Sequence, residues 1–276
     1  MEPVSLRRVA GISTVVLLFL LAAARPLRGQ SESPTVASSG PIATDRPAIA
    51  NSSVVVPAGS LQVENGFLEA SGKGQSVVDG PESLVRLGLA RKTELRFTVP
   101  DYFHDLGSGP ADFPSGFGDL AVGIKQQLGP ARGFDVSAIL FVSFPTGAAG
   151  ISSGGYDPGL QVPWSRALSP NWTVAGMLSV YWPTQGRTRN VTGESTILFD
   201  RQLTKPWDVF VEYAGDFPEA GGPRHLLHFG TAMKITQQQQ IDFHFGVGLS
   251  SAAADHLIGI GYSIRLPSIH HSTIRH

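Results

Sequence analysis

The stretch Asp157–Trp182, DPGLQVPWSRALSPNWTVAGMLSVYW, holds two alternating segments of strand length around one short turn, and it decides the fold. On its second arm Trp172, Val174, Gly176, Leu178, Val180 and Trp182 fall on one face, with Thr173, Ala175, Met177, Ser179 and Tyr181 on the other. The first face is apolar and capped by tryptophan at both ends. At roughly 3.3 Å per residue and a tilt of about 40°, the two tryptophans are separated by roughly 25 Å of height, the height of a membrane barrel's lipid-facing band. Ser169-Pro170-Asn171 turns the chain, proline presetting the backbone and its neighbours satisfying local backbone groups. Pairing Leu168 with Trp172 puts Trp164 opposite Gly176, where an indole would cover the gap that a strand glycine leaves.

Working outward, the same pattern recurs. In WDVFVEYAGDF the face Trp207, Val209, Val211, Tyr213, Gly215 and Phe217 again runs aromatic to aromatic, while Asp208, Glu212 and Asp216 share the opposite face. In QIDFHFGVGL, Ile241, Phe243, Phe245, Val247 and Leu249 face one way and Asp242 and His244 the other. Strand candidates form a series of about twelve: Leu61–Ala70, Glu82–Leu89, Thr93–Pro100, Phe117–Leu128, Phe134–Phe144, Gly159–Leu168, Trp172–Trp182, Val191–Gln202, Trp207–Phe217, His225–Ile235, Gln239–Ser250 and Asp255–Leu266. Connections alternate between short turns such as Arg91-Lys92 and long Gly, Pro and Ser-rich loops such as Asp101–Gly116, as at the two rims of an outer-membrane barrel.

Composition narrows the class. The chain has 276 residues, no cysteine, 16% charged residues and a formal net charge of −1, which excludes cysteine chemistry and gives no basic surface for nucleic acid. MEPVSLRR followed by VAGISTVVLLFLLAAA predicts a secretory signal peptide over residues 1–24, with Gly29-Gln30 as the alternative cleavage point. Past it, no apolar run approaches the ~18 residues of a membrane helix, so membrane residence must come from strands. Residues 25–57 read as an extended arm, 58–266 as the barrel and 267–276 as a tail.

Alternation alone does not say which face points inward. A closed sheet of about twelve strands is wider inside than its side chains can fill, and no long apolar segment is left to plug it. The expected fold is therefore an all-β, antiparallel up-and-down transmembrane barrel with apolar faces in lipid. Its expected lumen-lining residues are Glu94, Arg96, Lys125, Asp135, Glu194, Asp208, Glu212, Asp242 and His244; its membrane girdle is Trp172, Trp182, Trp207 and Phe217. Thr44-Asp45-Arg46-Pro47 in the arm reads either as a local turn before proline or as a charged knot that meets Glu64, Arg86 or Arg96, making the arm a periplasmic plug. A disordered tether is the alternative.

Seven segments together resemble the bacterial outer-membrane family of phenol-degradation MetA-pathway proteins, often called transporters. They are TDRP at Thr44–Pro47, PAGSLQVENGF at Pro57–Phe67, GFGDLAVGIKQQL at Gly116–Leu128, SFPTG at Ser143–Gly147, DPGLQVPWSRAL at Asp157–Leu168, VEYAGDFPEAGGPRH at Val211–His225 and LIGIGYSIRL at Leu257–Leu266. The resemblance spans nearly all of the chain after the leader and implies an outer-membrane barrel that passes small compounds, aromatic ones among them, with no catalytic residues to carry over. The chain departs from such barrels where the closing segment ends on Leu266 rather than an aromatic residue, with PSIHHSTIRH following.

Three functional classes compete: a passive channel, an outer-membrane hydrolase and a purely structural barrel. His244 and Ser250 could serve hydrolysis, but no GxSxG elbow accompanies them. His228 and His244 would lie opposite each other about a turn centred on Thr236 and could share a metal ion, yet no third ligand is evident. His270, His271 and His276 read as a solvated tail, and the sequons at Asn51, Asn171 and Asn190 carry no inference. The expectation is a channel without catalytic residues, metal or cofactor. Its partners would be outer-membrane lipid, the barrel-assembly machinery of a Gram-negative cell and small solutes, and not nucleic acid.

Overall fold

A computed structural model of the chain describes residues 40–107 and 115–266. The leader, the first part of the arm and the tail lie outside the described residues. Twelve long strands form the wall. The first six are β1 (Leu61–Gly72), β2 (Ser83–Ala90), β3 (Thr93–Val99), β4 (Leu120–Gln127), β5 (Asp135–Phe144) and β6 (Asp157–Ser169). The rest are β7 (Trp172–Tyr181), β8 (Thr192–Thr204), β9 (Trp207–Pro218), β10 (Arg224–Thr236), β11 (Gln239–Gly248) and β12 (His256–Leu266). Each is antiparallel to its neighbours in chain order, and β12 closes on β1 from Leu61↔Leu266 to Ser71↔His256. Closure leaves no unpaired strand edge, which is what allows strands to cross lipid.

Leu61 and Leu266 meet at one rim, where the turns after β2, β6, β8 and β10 are also short. The opposite rim carries the long connections. There Gln75–Gly80 folds back on β1 and pairs with Tyr102–Asp105, raising the wall above the strands, and Thr184–Gln185 pairs with Thr188–Arg189 in a small hairpin. Aromatic residues stand at both rims: Trp172 and Trp207 exposed at the short-turn rim, Phe217 exposed and Trp182 half-buried at the other. Between them Leu140 (58% exposed), Phe199, Phe229, Phe243 and Ile260 cover the outer wall.

The hairpin that opens the sequence argument forms with Gly176↔Trp164 paired, and the indole occupies the space a Gly176 side chain would need. Leu168 does not pair with Trp172, however. Trp172 pairs with Ser169, and a bulge there absorbs Leu168 while the rest of the register stands. β10 and β11 also pair differently from the expected register. A register shift between Lys234 and Thr236 pairs His228 with Gly246 and His244 with Gly230, so the two histidines are diagonal neighbours and not directly opposite.

Candidate functional site

The interior is built by polar residues at every second position of the wall. On β1 these are Gln62 and Glu64; on β2, Arg86; on β3, Glu94 and Arg96; on β4, Lys125. Gln62, Glu64, Arg86, Glu94 and Lys125 are wholly buried. The reason is that Ile42–Val56 of the arm runs through the lumen, so these side chains meet protein where a wet wall was expected.

Three wall glutamates hold the arm by its backbone. Glu64 Oε2 accepts the N–H groups of Asp45 and Arg46 at 2.8 and 3.1 Å. Glu212 accepts those of Ile49 and Ala50, one on each oxygen, at 2.8 Å. Glu94 Oε2 accepts that of Val56 at 2.7 Å. Each is a charge-assisted bond in a low-dielectric setting, where an unpaired amide or carboxylate would be costly. Arm carbonyls are met in turn: Arg86 donates to Ala43 and Val54, Gln62 to Ala43, and Ser137 to Ser53.

Asp45 and Arg46 do not pair with each other. The Asp45 carboxylate lies 2.6 Å from Arg96 Nη2, 3.2 Å from Arg86 Nη1 and 3.7 Å from Lys125 Nζ, and also accepts the Ser52 N–H at 2.9 Å. Burial alone would push this carboxyl up, but Arg86, Arg96 and Lys125 together hold it well below the usual carboxylate range. Arg46 reaches the other way, pairing with Glu82 and lying 3.4 Å from Asp242 Oδ1. Its guanidinium crosses the β1–β12 seam over the paired glycines Gly66 and Gly261, where any side chain would collide with it.

Beyond Arg46 a polar chain continues across the wall. Arg46 Nη2 lies 3.4 Å from His244 Nε2, His244 Nδ1 lies 2.9 Å from His228 Nε2, and His228 Nδ1 lies 2.9 Å from Glu212 Oε2. A carboxylate can only accept and a guanidinium only donate, so with neutral rings His228 donates Nδ1–H to Glu212, and His244 accepts from Arg46 at Nε2 and donates Nδ1–H to His228 Nε2. The one imidazole lone pair not used within the pair, on His244 Nε2, thus faces a guanidinium, which is a poor setting for a metal ion. Among the described residues no group of three or more His, Cys, Asp or Glu side chains is placed to hold one.

Of the expected lumen residues, Glu94, Arg96, Lys125, Glu212, Asp242 and His244 are buried in these networks. Glu194 accepts from Ser179, and Asp208 pairs with Lys234 at 2.5 Å. Asp135 sits on the inward face two positions before Ser137 and is half-buried. Glu82 and the serines that hold Ser53 were not read from the sequence as site residues. The signal available was parity: Gln62, Glu64 and Gly66 share a face, as do Arg86 and Gly88, and these positions now carry the arm. Ser250 Oγ donates to the Pro223 carbonyl and accepts the His225 N–H, so it is not brought to His244.

Over the arm, toward the long-loop rim, lies a cavity of about 470 Å³. Asp45, Arg46, Ala48 and Asn51 form its floor; Leu84, Ala121, Ile139 and Phe141 give it an apolar side, and Glu82, Arg96 and Asp101 a charged one.

A closed twelve-strand barrel with an apolar exterior and a charged interior is an outer-membrane type of barrel. Within that class the chain belongs to the family described as "Putative MetA-pathway of phenol degradation", which matches residues 44–266. Its fold is similar to that of the COG4313 outer membrane channel from Pseudomonas putida F1, with TM-score 0.62 at 12% identity over 80% of this chain and 100% of that one. The NanC porin is similar at TM-score 0.52 and 11% identity, over 75% of this chain and 100% of that chain. The KdgM porin follows at 0.51 and 9%, over 74% of this chain and 98% of that one. No curated protein matches the chain.

Proposed function

We propose that the protein is a passive outer-membrane channel for small solutes whose lumen is closed at rest by its own arm, through the segment 42–56. The observation that carries this is the arm inside the barrel, held by Glu64, Glu212 and Glu94 beneath a cavity whose floor it forms. No loop able to cradle a nucleotide was found in the sequence, so flow would follow the solute gradient. The channel likeness of the similar barrels and the phenol-degradation description of the family favour small, partly aromatic solutes. The leader would direct export and the barrel-assembly machinery insertion, and no catalytic role is assigned to the wall residues.

Vesicles containing the purified protein, challenged with a size series of sugars, amino acids and phenols, test the reading. Swelling that falls off with solute size is expected. No permeability to any solute would leave a structural barrel, and ester or lipid cleavage lost on replacing His244 would make it a hydrolase.

A further inference from the structure

The cluster Arg86, Arg96 and Lys125 is matched in charge by the carboxylates it touches only because the arm supplies one of them. Arg86 pairs with Glu64 and Glu94 at 2.9 Å each, Arg96 pairs with Glu94 at 2.9 Å, and Lys125 lies 3.9 Å from Glu94. Three cations thus face two wall carboxylates, Glu64 and Glu94, and the third carboxylate is Asp45. With the arm displaced, these three cations exceed the carboxylates they touch by one, while Arg46 leaves with the arm and unpairs Glu82 and Asp242 beside the β1–β12 seam. Lys125 Nζ is wholly buried and has no hydrogen-bond acceptor, so one donor of the cradle is unused even with Asp45 in place.

We propose that Arg86, Arg96 and Lys125 form the channel's carboxylate-binding subsite, filled at rest by Asp45 as a tethered surrogate, and that its solutes are small organic carboxylates with an apolar body. The guanidinium pair supplies the planar donors that a carboxylate takes. The apolar body follows from the cavity, which opens directly onto Asp45 and Arg96 and is walled by the inward side chains of Leu84, Ile139 and Phe141. A solute carboxylate entering the cradle competes with Asp45 and so loosens the arm that blocks its path. Because Asp45 is tethered, competition needs solute at the ~mM effective concentrations of short linkers or above, which suits uptake from a rich supply. This substrate class rests on the channel reading above.

The test uses full-length protein and benzoate, with benzamide as its neutral isostere. Asp45→Ala empties the cradle while leaving the chain intact. Benzoate is expected to raise the thermal unfolding midpoint of this variant, benzamide and chloride at equal ionic strength are not, and the wild type should respond far less. Adding Lys125→Met, or Arg96→Gln should that variant fold poorly, should abolish the response. In planar bilayers with a sodium benzoate gradient, the wild-type reversal potential should show benzoate preferred over sodium, and Lys125→Met should reduce that preference several-fold. A midpoint that rises equally with benzamide or chloride, or a sodium preference, overturns the proposal. Absence of any current refutes the channel and the solute class together, whereas the midpoint measurement still decides whether the cradle takes carboxylates.

Discussion

Glu212→Gln separates an arm clamp from an ordinary lumen charge. Each carboxylate oxygen of Glu212 accepts one arm amide at 2.8 Å, and Oε2 also takes His228 Nδ1–H. Glutamine has one acceptor oxygen, so its NH₂ must face a donor of the arm. At least one charge-assisted bond is lost, worth about 1.5–3 kcal/mol, and one buried N–H is left without an acceptor at a further ~1–3 kcal/mol. Allowing for partial relaxation, a net of about 3 kcal/mol is expected, and at ~1.4 kcal/mol per decade this shifts the docked arm toward release roughly a hundredfold. Hydrogen exchange reads that equilibrium directly, because a buried amide exchanges only when its segment opens. Protection of the Ile49–Ala50 segment should fall by about two decades while strand amides of β9 and β10 change little. Unchanged protection at Ile49 and Ala50 would refute the clamp, as would a wild-type arm already exchanging freely.

Gly88→Ala places a methyl against the backbone carbonyls of Val56 and Pro57, which have no rotamer to escape into, and should cost ~1–3 kcal/mol in urea unfolding from detergent. Leu140→Arg on the outer wall should destabilise the barrel in lipid vesicles by roughly 2–4 kcal/mol at mid-membrane, and far less in detergent, which adapts to the charge. Asp45 has a carboxyl held below its unfolded value, so its contribution to stability is fully present above about pH 4 and is lost as pH falls through the folded value. The Asp45 share of arm protection, read as the difference between wild type and Asp45→Asn and corrected for intrinsic exchange rates, should therefore be flat from neutrality down to mildly acid pH and drop only below ~pH 4.

The wall was legible in the sequence because its signal is local. Alternation in WTVAGMLSVYW or QIDFHFGVGL needs no knowledge of the rest of the chain, and every expected strand corresponds to one in the barrel. The register of β10 on β11 was not legible, since it depends on a shift at Lys234 that no residue pattern announces. The face assignment survived because the error was by an even number of residues, and side chains repeat every two. His228 and His244 therefore both point inward as expected, but diagonally. Least legible was the state of the interior charges. Glu212 and Lys125 read as hydrated lumen residues from their own strands alone, and only contacts with a distant segment of the chain, Ile49 to Glu212 and Asp45 to Lys125, turn them into parts of a packed network. The TDRP segment was the one sequence clue, through its charges.

Removing residues 31–50 and comparing solute entry into vesicles with that of the full chain tests the central claim most directly. That deletion takes away Asp45, Arg46 and both amides held by Glu212 while leaving β1 to β12 whole. A lumen closed by its arm predicts that small solutes enter the truncated barrel markedly faster than the full-length one, with heat-modifiable gel migration showing both folded. Equal entry through the two would contradict the account, and an equally impermeable pair would remove the channel altogether.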